Sequence, residues 1–445
     1  MATSSLNLSF VNRTTLPDSE VFITFQNPAL GSTDFNVTYG DNIPIPIKDG
    51  DIMSTSVSLE DIGSGGLTVT TAAGVVVFVS YGAALTATTT VPSFVGPSGP
   101  DYNTAFQPFE LTRTGGNGDQ GNMTAINYFA APMAITSYNT ANPPVELQST
   151  AFNQTTEEIA SSLAALTGSS PLSVITNPDN KVVRYIGPSS FGPADTNPFP
   201  SLLSYLQAVN AAGQATTIQN SNAFNVPVKG GPGSTNYNFT LNLTATMGAD
   251  GSIAMNGSIA TTITPYGEGS TAGPTFDNAT VQIAASSANA LNFVLYGQAI
   301  DADVITFGSG WDNLGTYMNQ VGLGSQGALA TTQNLAIGEI TTGLLMGLVN
   351  SPVVPAGSSV AIANMPSREW WGLSPTVAFS QAQTDAAYYN QYANVIYLAS
   401  DNGGYSIPYS DRLGSGPLVN SVQYNGQDVG SWVVTLEPPV SVVAE

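Results

Sequence analysis

The first hundred and forty residues alternate apolar and polar positions with a period of two. "SLNLSFVNRT" (5–14) and "EVFITFQN" (20–27) each place every second side chain on an apolar face, which predicts strands buried on one side. "LTVTTAAGVVVFVSYGAAL" (67–85) predicts a strand pair joined by a turn of small residues, and "PFELTRT" (108–114) and "MTAINYFAAPMAITSY" (123–138) predict further strands. Gly and Pro punctuate the intervals. Residues 1–145 therefore read as a β-sandwich or barrel domain.

The period then changes. In "TTEEIASSLAALTG", Ile159, Leu163 and Leu166 recur at helical spacing, Thr155 or Thr156 supplies a cap, and Glu157 and Glu158 suit the positive end of the helix dipole. A second helix is predicted near 200–212, stopped by Gly213, and a third near 334–349, where "NLAIGEITTGLLMGLVNS" is the best amphipathic pattern in the chain. Between them, "STNYNFTLNLTATMGADGSIAMNGSIATTITPY" predicts a long hairpin turning at Ala249-Asp250-Gly251. Residues 146–390 thus form a mixed α/β lobe. The last segment, about 391–445, returns to strands and is expected to rejoin the first domain. The fold class is mainly β with a mixed α/β part.

Composition narrows the chemistry. The chain has 445 residues, 42% of them apolar, enough for substantial cores. Only 9% are charged, and Thr, Ser, Asn and Gly take the surface instead. Eight Lys and Arg stand against thirty Asp and Glu, a formal charge of −22. That argues against nucleic acid as a partner, because phosphate binding needs clustered cations, and equally against anionic membranes. No run of eighteen apolar residues predicts membrane insertion, and "MATSSLNLSFVNRTTLPDS" lacks the pattern of a signal peptide. The chain contains no Cys and no His, so thiol chemistry, disulfides, Cys/His zinc sites and Ser-His-Asp catalysis are excluded. Acid–base work near neutral pH would fall to carboxylates. No cofactor is called for: "DGD" (49–51) and "DAD" (301–303) lack calcium-loop spacing and read as turns, and the Gly-rich "GEGSTAGP" and "GSGPLV" lack a phosphate-loop Lys. Trp370 and Trp371 offer flat apolar rings to a sugar face, although core burial is the ordinary fate of such residues, as it is for Trp311.

Several segments, in order along nearly the whole chain, resemble glycoside hydrolase family 64, the endo-β-1,3-glucanases built from a β-barrel domain and a thaumatin-like α/β domain. Phe78, Ser80, Tyr81 and Gly82 match an early Phe-x-Ser-Tyr-Gly pattern; "PFELT" and "NMTAINYFAAPMAI" resemble the catalytic strand pair; "KVVRYIGPSSF" and "FPSLLSYLQAVNAAG" resemble the central strand and helix. Tyr405, Pro408, Tyr409 and Asp411 match a closing Tyr-x-x-Pro-Tyr pattern before an acidic turn. The resemblance implies a catalytic acid at Glu110 and places the partner carboxylate at position 127, where this chain has Asn. Charged groups before the final turn are also replaced, by Ala399, Asn402 and Gly403. It further implies Tyr405, Tyr409 and Asp411 as ligand-binding residues.

An inverting glycosidase needs one acid to protonate the leaving oxygen and one carboxylate to activate water, roughly 6.5–9.5 Å apart. Two readings follow. The chain is a non-catalytic derivative of the glucanase frame, a glycan-binding or self-assembling surface, sheath or coat-type protein. Alternatively it is an active inverting endo-β-1,3-glucanase in which another acid, Asp119 or Asp101, replaces the missing partner. Asn127 and the scarcity of charge favour the first. The expected partners are β-glucan or another polysaccharide and further copies of the chain, and the expected location is extracellular or surface-associated.

Overall fold

The computed structural model describes residues 5–27, 35–48, 50–92, 99–284, 287–297, 303–400, 403–408 and 418–443. The chain divides into two compact units. The first comprises Met1–Ser190, Val395–Ser406 and Ser415–Glu445; the second comprises Phe191–Asn394 and Ile407–Gly414.

The first unit is built on a strongly curved sheet. Its strands follow the order Glu146–Ala151, Met133–Asn139, Gln427–Leu436, Leu6–Asn12, Leu67–Tyr81, Ala105–Arg113, Gln120–Thr124 and Gly404–Tyr405. The first strand and the C-terminal strand lie side by side in parallel, from Asn7 opposite Ser431 to Asn12 opposite Leu436. The ends of the sheet approach each other: Asn420, on a short strand paired with Gln120–Thr124, donates its N–H to Gln148 Oε1 (2.9 Å) on the Glu146–Ala151 strand. The alternation of the sequence is realised directly. Leu6 and Leu8, then Val21, Ile23 and Phe25, are fully buried on one face, each such side chain contributing about 1.5–3 kcal/mol.

Residues 67–81 depart from the expected strand pair. They form one strand, Leu67–Tyr81, with a register shift between Ala72 and Val75. Gly74 adopts φ +59° and bulges the strand instead of reversing it, its N–H meeting Thr112 Oγ1 at 3.2 Å. The first half pairs with Leu6–Asn12 and Phe35–Tyr39, the second with Val21–Gln26 and Ala105–Arg113.

The first unit extends to Ser190, beyond the boundary expected at 145. Helix Thr156–Leu166 belongs to it, because Thr156 Oγ1 donates to Pro438 O (2.6 Å). So does strand Val182–Ile186, whose Ile186 pairs with Tyr128. The cap of that helix is Thr155, in a reciprocal box with Glu158.

The second unit holds a sheet ordered Thr216–Pro227, Ser234–Met247, Ile253–Thr264, Val281–Ile283 and Ile305–Phe307, with Thr271–Asp277 paired to Ile253–Thr264. Its long hairpin turns at Gly248–Ser252, with Gly251 at φ +85°. Helix Leu203–Ala211 occupies the second expected position. The third, Ala328–Leu345, differs in character from the amphipathic helix expected: every residue from Leu335 to Leu345 is buried, so its C-terminal part is a core helix covered all round, while Ala330 and Thr331 near its start are exposed.

Candidate functional site

In the first unit, four strands set a row of side chains across the sheet. Gln26 lies opposite Val76, Val76 opposite Glu110, and Glu110 opposite Asn122. Because side chains alternate along a strand, Phe78 and Pro108 share this face one step away. Gln26, Val76, Phe78, Pro108 and Glu110 line a cavity of about 270 Å³, closed on its other side by the segment Thr124 to Tyr128. Glu110 is half-buried and accepts a hydrogen bond from Asn122 Nδ2 at 3.1 Å.

The opposing segment is rigidly held. Buried Gln107 donates from Nε2 to Thr124 O (2.8 Å) and accepts at Oε1 from Ala130 N (2.8 Å), pinning both ends of the loop. Asn127 accepts at its carbonyl from Gly187 N and Ser190 Oγ, both at 2.7 Å, and at Oδ1 from Ser189 Oγ at 3.2 Å. The cavity backs onto an aromatic cluster of Phe78, Phe106 and Tyr128, ring centroids 5.6 and 5.0 Å apart. The Arg184 guanidinium stacks over Phe106, 4.1 Å from its centroid, and donates to the Thr104 and Tyr102 carbonyls. Burial is the main cause that pushes its pKa down to about 10, so it is still charged at neutral pH.

Glu110 and Asn127 therefore line the same cavity. The acids that could replace the missing partner do not. Asp119 is buried and turned into its own loop, where it accepts from Thr114 N and Oγ1, Gly115 N (2.8 Å) and Gly116 N (3.1 Å). Asp101 is buried and accepts from Thr86 N (2.8 Å), Thr86 Oγ1 (2.9 Å) and Ala87 N (2.8 Å). Each carboxylate satisfies backbone donors that would otherwise be stranded. Among the described residues that line the cavity, Glu110 is the one carboxylate. With Glu110 and an amide, the cavity can hydrogen-bond hydroxyl groups and present Val76, Phe78 and Pro108 to an apolar face. The acid and base of a glycosidase both require carboxylates.

The remaining predicted residues scatter. Tyr405 is half-buried opposite Thr124, and its carbonyl accepts Ala125 N at 2.8 Å, beside the cavity loop. Trp370 and Trp371 lie in the second unit: Trp370 is buried, while Trp371 is half-buried and donates Nε1 to Glu339. Trp311 is buried against Phe307. Tyr409 and Asp411, with Asp49, Asp301, Ala302 and Asn402, lie outside the described residues. Gln26, Gln107, Asn122 and Arg184 were not anticipated. Their roles come from pairing across 12 to 82 positions of sequence, and no local pattern marks them.

A barrel-like β unit and a second unit of sheet and helices together give a mainly β fold, the fold class of solved family 64 glucanase structures. The β-1,3-glucanase domain (GH64) from Clostridium beijerinckii matches over 98% of both chains, with a TM-score of 0.51 at 12% identity. Two structures of the family 64 laminaripentaose-producing β-1,3-glucanase from Paenibacillus barengoltzii, one complexed with laminarihexaose, match 98% and 97% of this chain and 75% of theirs. Both are 12% identical, with TM-scores of 0.40 and 0.45, too loose to add weight. No protein-family model and no curated protein matches the sequence.

Proposed function

We propose that this chain is a non-catalytic derivative of the β-1,3-glucanase frame that retains the cavity as a glycan-binding site and serves as a surface, sheath or coat-type structural protein. One observation carries the reading: Glu110 shares its cavity with Asn127, while Asp101 and Asp119 are committed to loop backbone. An amide neither takes up the proton of an attacking water nor protonates a leaving oxygen. Loss of such a group costs about 10²–10⁴-fold in rate. What is kept suits binding: a carboxylate and amides for hydroxyls, and apolar wall residues for the ring face.

Restoring the carboxylate tests this. Asn127→Asp is isosteric and sits on a loop held largely through backbone groups. It is expected to raise β-1,3-glucan hydrolysis by about 10²-fold or more over the unaltered protein, and the gain should vanish in the double variant with Glu110→Gln. An unaltered protein that hydrolyses at an ordinary enzyme rate, with Asn127→Asp adding nothing, would overturn the proposal.

A further inference from the structure

The second unit contains a cavity of about 650 Å³ lined by Asn220, Ser221, Asn222, Asn334, Arg368 and Trp371, among others. Its walls come from the edge strand Thr216–Pro227, the core helix Ala328–Leu345 and the turn after Ser367–Trp370. What distinguishes it is the group behind it. Glu339, in the middle of the core helix, is fully buried. Its carboxylate accepts Trp371 Nε1 at 3.0 and 3.1 Å and Asn220 Nδ2 at 2.5 Å. A buried carboxylate is costly unless it is well satisfied, and its charge-assisted hydrogen bonds are strong and directional. Here those bonds fix two residues on different walls of one cavity. Asn222 is held in the same way, its Nδ2 donating to Thr332 Oγ1 at 3.1 Å. By contrast, the side chains of Ser221, Asn334 and Arg368 make no hydrogen bond among the described residues. Arg368 is exposed and has no ion pair there either.

We propose that this cavity is a saccharide-binding site, distinct in its residues from the Glu110 cavity and independent of the reading given to that one. The half-buried indole of Trp371 offers an apolar surface to the C–H face of a pyranose. The amide of Asn334, the Ser221 hydroxyl and the Arg368 fork supply donors and acceptors for the ring hydroxyls. The fixed indole loses little freedom on binding, which favours affinity. A lining this polar is wrong for an apolar ligand. A chain of charge −22 repels polyanions, so a neutral oligosaccharide is the ligand class.

The test uses the position of the tryptophans. Trp311, Trp370 and Trp432 are 1%, 1% and 0% exposed and Trp371 is half-buried, so a ligand-induced change in tryptophan emission that is lost in Trp371→Ala reports on this cavity. The full chain is titrated with laminarihexaose, cellohexaose and an oligouronate, followed by fluorescence and by calorimetry. A neutral hexaose should change the emission. Trp371→Ala should abolish the change and weaken calorimetric binding at least about tenfold. Arg368→Ala, at an exposed position, should weaken binding several-fold with an unaltered melting temperature. The inference is overturned if no neutral saccharide changes the emission, or if binding is confined to the oligouronate. It is also overturned if the signal survives Arg368→Ala unchanged but is lost in Glu110→Gln, a result that would place the ligand in the first unit and leave the proposed function standing.

Discussion

Glu110 and Asn127 line one cavity, and what they can do there is decided by the groups around them. Asp119 follows Glu110 by nine positions and looks available to a linear reading, yet its carboxylate closes the loop 114–116. Asn122, which donates to Glu110, is simply the residue that the hairpin register sets opposite it. The same register leaves no room beside it: a Cβ on Gly121 would lie 2.0 Å from Glu110 O and 2.8 Å from the Trp432 ring. Gly121→Ala is therefore expected to destabilise the first unit by about 3 kcal/mol, the upper part of the usual range for overpacking, read as a fall in the denaturant midpoint. A midpoint unchanged within error would show that the strand pair yields more easily than its packing implies.

At the scale of elements, period-two alternation identified the strands because burial on one face is a local property of the chain. It missed the continuity of Leu67–Tyr81, since a Gly among small residues marks a bulge and a turn alike. The helix Ala328–Leu345 was legible as a helix, but the burial of Leu335–Leu345 on all sides depends on what the rest of the unit packs against it. The cap of Thr156–Leu166 was nearly explicit. Thr155→Ala removes the side-chain half of its capping box, leaving the backbone N–H of residue 155 on Glu158, and should cost about 1 kcal/mol, measurable by chemical denaturation; a loss below a few tenths would mean that the helix end is held by Thr156 and Pro438 instead. The edge strand Thr216–Pro227 is only partly open. Ser367 Oγ accepts from Gln219 N (2.9 Å) and donates to Gln219 O (3.2 Å), and Gln326 Nε2 donates to Asn225 O (3.2 Å). These side chains interrupt backbone pairing with another copy at those positions. Self-association of the proposed structural protein would then use side-chain surfaces of Thr, Asn and Ser, whose ordering costs little.

At the scale of the molecule, charge sets the behaviour. Among the described residues one ion pair is formed, Arg13 with Glu437 at 3.2 Å, and it is largely exposed, so that pair adds little to stability. The charge of −22 opposes contact between copies. Any association should therefore strengthen as salt screens the repulsion, giving light-scattering masses that rise with ionic strength; a strictly monomeric mass at every salt and protein concentration would count against a sheath or coat role. With no His and no Cys, stability should be nearly flat from about pH 6 to 9. Above that range the buried tyrosines take over. Desolvation raises the pKa of Tyr81, Tyr205, Tyr296 and Tyr392 above the ordinary 10.0. Above pH 10 the unfolded chain loses phenolic protons that the fold keeps, so each tyrosine lowers stability by about 1.4 kcal/mol per pH unit. Arg184 and Arg113, whose pKa values burial lowers, work the other way above about pH 10, where the unfolded chain keeps protons that the fold loses, but they are two groups against the four tyrosines. A steep loss of stability beginning near pH 10 is expected in thermal scans; a gradual loss starting near pH 7 would contradict it.

The account rests on a frame that holds glycan without cutting it, and the most direct measurement is a product time course. The unaltered chain is incubated with soluble β-1,3-glucan near neutral pH and new reducing ends are counted, with Glu110→Gln as the comparison. The account predicts no release above that of the Glu110→Gln variant. Steady turnover at an ordinary enzyme rate, abolished by Glu110→Gln, would contradict it.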